Sequence, residues 1–465
     1  MSGTSEKRRK IVLIGAGSAS FTQGLVADLI LASDIGPWQL GLVDISPQAL
    51  EVASGLVSRM LAAHPEADIS VESDTDRRKI LPGADVVVTT IAVGGRRAWE
   101  QDVLIPRKYG VFQPVGDTIM PGGISRAMRM IPALVEIAKD VANLCPSAFF
   151  VNYSNPLTPN CRAIRRAVGI PVVGLCHGVA HVEQYLADFC GVPRSEVSSL
   201  AVGVNHLTFF LELRWKGRDA WPLAKARLEQ ERKNTEKLDA EILRLFPELS
   251  EGRPNVPGIS ANPFSWSMFE AYGAYPAVND RHVVEFFPER FPNGNYYGKT
   301  LGVDVFSFED VVEQGDRTYA EMKAIAEGSK EVPGWLFTRQ PGEHEQLVDI
   351  IRSMVYDQRR IFSMNLPNQG AVSNLPMDAV LEIPAVAAAK GPLSLQLGSI
   401  PPALAGILNR VISVQELVVE AALSGDRRLF VEALLADGSV KDRTTAEKLA
   451  DELLSAHKEH LPQFG

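Results

Sequence analysis

Cysteine is scarce in this chain: four in 465 residues, at Cys145, Cys161, Cys176 and Cys190. So few thiols in so long a chain cannot supply a disulfide framework. They fit a reducing compartment, where a thiol packs, ligates or reacts. Positive charge is also in deficit. Against 56 Asp and Glu stand 47 Lys and Arg, a net charge of −9, whereas nucleic acid and anionic membranes reward clustered cations. The one basic run, Lys7-Arg8-Arg9-Lys10, stands directly before a strand and reads as a solvated leader. No uninterrupted apolar run approaches the ~18 residues that would span a bilayer. The N-terminal segment is polar and charged and offers no signal-peptide core. The expectation is a cytoplasmic protein with no membrane and no nucleic-acid partner.

What is present is core material and order: 46% of the residues are apolar and 22% charged, the balance of a globular protein. Ile11–Ile14 is an apolar run that ends at Gly15-Ala16-Gly17-Ser18, and helical spacing follows over Phe21–Leu31. Gln39–Val43 reads as a second strand closing on Asp44, Gln48–Ala63 as a helix, Asp68–Val71 as a strand, and Ala84–Ile91 as a fourth, β-branched strand. A helix around Ile131–Ala142 leads to strands at Ala148–Tyr153 and Val172–Leu175, and Ser199–Leu213 is β-rich. Later come a charged helix over Ala224–Leu245, a β-rich piece at Ala379–Val386 and helices from Ala403 to Glu459. Alternating strands and helices imply a parallel sheet covered on both faces. The fold class is therefore α/β: a Rossmann-type doubly wound sheet over residues 1–200, then an α+β domain over 201–465, in the manner of lactate and malate dehydrogenases.

The strand–turn–helix at Gly15-x-Gly17 carries a specific physical meaning. Gly15 permits the tight turn and Gly17 lets backbone approach a pyrophosphate, while Ser18 opens the way to a helix N-terminus that attracts the anion. Asp44, at the end of the next strand, is placed to accept the ribose hydroxyls of NAD and to repel a 2′-phosphate. The third fingerprint position is Ser20 in place of Gly.

In an open parallel sheet, ligands sit beyond the carboxyl ends of the strands. The residues found there are Val93–Arg97, then Asn152-Tyr153-Ser154-Asn155-Pro156, Cys176-His177 and Asn205-His206. A thiolate and an imidazole at neighbouring strand ends can hold a divalent cation in an open, catalytic site. Two further stretches are polar in apolar surroundings: Val115–Arg126, with Asp117, and Tyr275–Phe287, with Asp280-Arg281-His282.

Five of these stretches and a sixth that no chemical argument singles out, in this order along nearly the whole chain, resemble one family. They are Gly-Ala-Gly-Ser (15–18), Asn-Tyr-Ser-Asn-Pro (152–156), Gly-Leu-Cys-His (174–177), Gly-Val-Asn-His (203–206), Asn-Asp-Arg-His (279–282) and Leu-Pro-Asn-Gln-Gly-Ala-Val-Ser-Asn-Leu-Pro (366–376). The chain resembles glycoside hydrolase family four, the NAD- and manganese-dependent glycosidases, an exception to two-carboxylate glycoside hydrolysis. The resemblance implies oxidation of the sugar C3 hydroxyl by NAD, loss of the acidified C2 proton, elimination of the aglycone, addition of water, and return of the hydride. It implies Cys176 and His206 as ligands of Mn²⁺, and Asn155 as a sugar contact. Asp117, Asp280, His177 and His282 become the acid–base and proton-relay residues, and Asn152 joins Gly15, Gly17, Ser18 and Asp44 as a cofactor-side residue. A homodimer or homotetramer is expected.

The branch with phosphorylated substrates commonly carries Asp after the metal Cys and a Tyr base. Here His177 follows Cys176, and Asn-Asp-Arg-His holds no Tyr. Those departures favour the α-galactosidase, α-galacturonidase and α-glucosidase branch. A carboxylate-bearing sugar would find a bidentate partner in Arg281. Two other classes remain: a hydroxy-acid dehydrogenase of the lactate or malate type, and a silent NAD-binding scaffold.

Overall fold

The computed structural model describes residues 8–19, 21–245, 261–338 and 343–465, so the third fingerprint position, Ser20, lies outside the described residues. Short runs of β-branched and aliphatic residues form the first half of one sheet. Its strands are β1 (Arg9–Ile14), β2 (Trp38–Val43), β3 (Ile69–Asp74), β4 (Val86–Thr89), β5 (Phe149–Asn152) and β6 (Val173–Gly174). They pair in parallel in the spatial order 3-2-1-4-5-6, the order of a dinucleotide-binding fold. The strand order reverses between β1 and β4, which opens a crevice at their carboxyl ends.

The second half of the chain supplies β7 (Val197–Val204), β8 (Leu207–Trp215), β9 (Arg218–Asp219), β10 (Tyr275–Ala277), a small hairpin of β11 (Asn295–Tyr296) and β12 (Lys299–Thr300), β13 (Arg360–Pro367), β14 (Val380–Ala388) and β15 (Gly391–Ser394). Apart from the hairpin, these strands continue the same sheet. β13 pairs with β6 at Asn365 and Gly174, and β14, β7, β8 and β10 follow outward, for 13 strands in all. The α+β part is thus an antiparallel extension of the Rossmann sheet.

The helix Met120–Leu144 runs through the largest core cluster with 16 of its residues buried. It is twice the length expected from sequence, and Met120–Arg126, the end of the polar stretch Val115–Arg126, forms its first turns. Pro121, Gly122, Gly123 and Pro132 lower helix propensity, but Pro is tolerated in a first turn and the burial of the apolar face decides the rest. Against it pack the helices Pro402–Ser424 and Arg427–Asp437, and Arg443–Ala456 packs on the latter and on the helix Gly95–Arg107. Pro402–Ser424 is, among the described residues, the one helix long and apolar enough to cross a membrane. Its apolar residues, Leu404, Leu408, Val411 and Val418 among them, are buried in the core cluster.

The basic run is not a free leader: Arg9 and Lys10 open β1, and Lys10 is buried with its ammonium 2.6 Å from Glu72. Deeper lies an ion cluster. Arg129, on the long helix, pairs with Asp102, on the helix Gly95–Arg107, and His457 Nε2 stands 2.9 Å from the same carboxylate. Burial works against the Asp102 charge, but the His457 hydrogen bond and the Arg129 guanidinium hold the group below the usual carboxylate range. A depressed folded-state value adds stability above the unfolded value of about 4, and that stability is lost as pH falls through the folded value. Asp102→Asn is expected to lower stability at pH 7 by about 3–5 kcal/mol, the cost of breaking one partner out of a buried pair. Melting curves of both proteins from pH 7 to pH 3 check this: the gap between them should narrow below about pH 4.

Candidate functional site

Gly15 has φ +95°, and a Cβ there would stand 2.9 Å from the Thr90 backbone. The turn after β1 therefore lies directly on the loop after β4, and Thr90 Oγ1 donates to Gly15 O at 3.0 Å. Gly17 donates its N–H to Asp44 Oδ2 at 2.9 Å, and a Cβ on Gly17 would meet Ala49 at 2.6 Å. Asp44 Oδ1 also accepts from Ser46 N. The acid thus holds the glycine turn in place while staying partly exposed at the end of β2. Ser18 stands just beyond, its hydroxyl accepting from Phe21 N at 3.4 Å, and the helix begins at Thr22.

Five elements converge beyond the sheet's carboxyl ends. Asp117 and Thr118 precede the long helix, Asn155 follows β5, Cys176 and His177 follow β6, His206 occupies the β7–β8 turn at φ +66°, and His282 lies on the short helix Asp280–Val283. Thr118 Oγ1 stands 2.7 Å from both Asp117 Oδ1 and His206 Nδ1, and Asn155 Nδ2 donates to Asp117 Oδ2 at 2.8 Å. The His206 and His282 rings are 4.3 Å apart. Ligand atoms of Asp117, His206 and His282 all lie within 4.8 Å of one another.

The electrostatics of this cluster favour charged sulfur and oxygen. Burial opposes ionisation of Cys176, yet the His206 charge and hydrogen bonds with His177 and His206 pull its thiol down to about 6. Burial opposes the His206 charge too, and Cys176 raises it to about 9. Burial opposes the Asp117 charge, but His206 first and Arg126 after it hold the carboxyl below the usual range. Burial and the His206 charge push His282 well below the ordinary imidazole value, so that ring is neutral. A thiolate, a carboxylate and imidazoles at this spacing suit a divalent cation with positions left for oxygen ligands. Asp117 and His282, expected only to handle protons, stand at ligand distance from His206.

Two expected site residues are tied into the surrounding backbone. Asp280 is fully buried and its oxygens accept from Phe264 N, Ser265 N and Tyr296 Oη at 2.6–2.8 Å. It holds the first turn of the helix Pro263–Tyr272 and so anchors the segment that carries Arg281 and His282. Asn152 is likewise buried. It accepts from Thr89 Oγ1 at 2.9 Å and Ser154 N at 3.1 Å and donates to Ser154 O at 3.0 Å, so it shapes the Asn155 loop from inside.

Other residues matter here that sequence reasoning did not single out. Arg126 Nε donates to Asn155 O at 3.1 Å. Glu285 Oε1 accepts from Val115 N and Gly116 N, fixing the backbone just before Asp117, and burial pushes its carboxyl up to about 8. Glu382, on β14, accepts from Asn205 and Thr208 on either side of His206, and burial also raises it to about 8. Only alternation of polar with apolar residues marked Glu285 and Glu382. In the 366–376 stretch, Asn368 bonds Val372 N and the carbonyls of Val372 and Leu375, so that motif is a framed turn.

A Rossmann crevice beside a buried thiolate–imidazole–carboxylate centre defines a dinucleotide-dependent enzyme with a metal-suited site. The profile described as Family 4 glycosyl hydrolase matches residues 10–192, and that of the Family 4 glycosyl hydrolase C-terminal domain matches residues 201–440. The chain belongs to glycosyl hydrolase family 4. It is 30% identical to an α-glucosidase of Erwinia rhapontici over 96% of this chain and 97% of that one. It is also 30% identical to an α-galactosidase of Rhizobium meliloti (strain 1021), over 98% and 89%. The crystal structure of a glucosidase, lplD, of Bacillus subtilis superposes with a TM-score of 0.81 at 27% identity, over 96% and 100%. The fold is shared with a 6-phospho-α-glucosidase from gut microorganisms in complex with NAD and Mn²⁺, at TM-score 0.79 and 20% identity, over 98% and 100%. Family membership decides for a glycosidase over a hydroxy-acid dehydrogenase or a silent scaffold.

Because Glu285 has a raised folded-state value, its contribution to stability is full below the unfolded value of about 4 and is lost as pH rises to about 8. Glu285→Gln keeps an oxygen for the two backbone donors and cannot ionise. Its melting temperature relative to the parent is expected to rise steadily between pH 4 and pH 8 and level off above, measured in chelator-treated protein.

Proposed function

We propose that this enzyme hydrolyses α-glycosides of non-phosphorylated hexoses, α-galactosides or α-galacturonides first and α-glucosides or α-glucuronides second, with NAD in the β1–β4 crevice and Mn²⁺ at Cys176 and His206. The observation that carries the reading is the cluster of Asp117, Thr118, His206, His282 and Cys176 at the same end of the sheet as the Gly15–Gly17 crevice. When bound, NAD supplies a hydride acceptor and donor, and the cation a Lewis acid for sugar oxygens.

The chain's own residues divide the remaining work. Cys176 and His206, with Asp117 and His282 at hand, hold the cation. Thr118 locks the carboxylate of Asp117 to the His206 ring, so neither can turn away. Asn155, pinned to Asp117 at one end and Arg126 at the other, is fixed to meet sugar hydroxyls. A neutral His282 ring can take a proton, and the ionised Asp117 can accept or return one. The Arg281 Nε is buried with no hydrogen-bond partner among the described residues, a donor available to a substrate carboxylate. The four free cysteines fit a cytoplasmic enzyme, and a homodimer or homotetramer is the proposed assembly.

The test is release of p-nitrophenol from α-galactoside, α-galacturonide, α-glucoside and α-glucuronide substrates, with NAD, Mn²⁺ and reductant added or withheld. Cleavage is expected only with both NAD and metal, and Cys176→Ser or His206→Ala should lower kcat/KM by about 10²–10³ or more. Cleavage that persists after removal of NAD and metal contradicts the proposal. Arg281→Ala should raise KM for the uronide far more than for the neutral hexoside.

A further inference from the structure

The loop after β4 forms one wall of the cofactor crevice, since it lies against the Gly15 turn at the point where the strand order reverses. That wall is gripped from behind. Val93 O accepts from Arg129 Nε at 2.9 Å, and Val93 N donates to Met130 Sδ at 3.3 Å. The neighbouring Gly94, at φ +77°, has His460 so close that a Cβ would stand 2.8 Å from its Nε2. Both backbone groups of one crevice residue are thus committed to two consecutive side chains of the long helix.

Arg129 has a second hold. Its Nη1 donates to Asp102 Oδ1 at 2.9 Å and its Nη2 to Oδ2, so the guanidinium is bidentate on a carboxylate with no solvent exposure. Asp102 also accepts from Ser125 Oγ at 2.8 Å and has His457 Nε2 at 2.9 Å. A planar fork fixed on both oxygens has little freedom left, and its Nε therefore points at Val93 O with a set direction. The chain His457–Asp102–Arg129–Val93 runs from the last helix to the crevice wall through fully buried groups.

We infer that Arg129 and Asp102 are positioning residues for the dinucleotide: through the bidentate pair and the Val93 carbonyl, the C-terminal helices set the width of the NAD crevice. This inference rests on the NAD reading of the crevice. A buried pair kept only for packing would gain nothing from aiming its third donor at a crevice loop. Lys at 129 keeps the charge on Asp102 and cannot hold both Asp102 and Val93 O. Leu at 130 keeps the volume and removes the sulfur acceptor.

The experiment is calorimetric titration of NAD into purified parent, Arg129→Lys and Met130→Leu proteins, with melting temperature recorded and kcat measured at saturating NAD. The expected result is NAD affinity about tenfold weaker in Arg129→Lys and about threefold weaker in Met130→Leu, with kcat at saturating NAD within about threefold of the parent. If Arg129→Lys does not fold, Met130→Leu decides alone. NAD affinity within about twofold of the parent in the folded variants, with only the melting temperature lowered, overturns the inference. A parent that binds no NAD overturns the crevice reading itself, and the two failures are told apart by that first titration.

Discussion

Two glycines allow the catalytic loop to lie on the helix that supports it. A Cβ on Gly123 would stand 2.3 Å from the Thr118 carbonyl carbon, and one on Gly122 would stand 2.8 Å from Gly116 O. With any larger residue at either position, the Gly116–Ile119 segment would be pushed off the first turn of Met120–Leu144. Asp117 and Thr118 would then lose their place beside His206. From the same helix Arg126 reaches the Asn155 loop, and Arg129 and Met130 reach the loop after β4. One buried helix thereby sets the positions of three loops that come from different strands.

The charges in the centre follow from what each carboxyl faces. Glu285 and Glu382 see backbone and amide donors in a buried setting, and burial raises both to about 8. Asp117 is part-buried and faces the charges of His206 and Arg126, and it stays below the ordinary range. The neutral pair act as struts, Glu285 beneath the Asp117 backbone and Glu382 on both flanks of the His206 turn. The ionised group is the one available to a cation or a proton.

Much of this was legible in the sequence. The Gly15–Gly17 turn, Asp44, and the strands that place Asn155, Cys176 and His206 follow from periodicity and from where polar residues interrupt apolar runs. The 3-2-1-4-5-6 order fits them. Other parts were hidden for physical reasons. Pro121, Gly122, Gly123 and Pro132 disguise a 25-residue helix whose stability comes from burial. Asp280 reads in the sequence only as a carboxylate among apolar residues, and its bonds to a helix N-terminus and Tyr296 are visible only in the fold. Thr118 and Arg129 act through partners 88 and 27 residues away, separations that a linear pattern does not encode.

The central claim is that a redox fold does hydrolytic work by making the sugar C2 proton removable. The most direct measurement is turnover of an α-galactoside or α-galacturonide in D₂O, with NMR or mass analysis of the released sugar. Deuterium at C2 of the product is predicted, with no net accumulation of NADH. A product carrying only its original hydrogen at C2 would contradict the account.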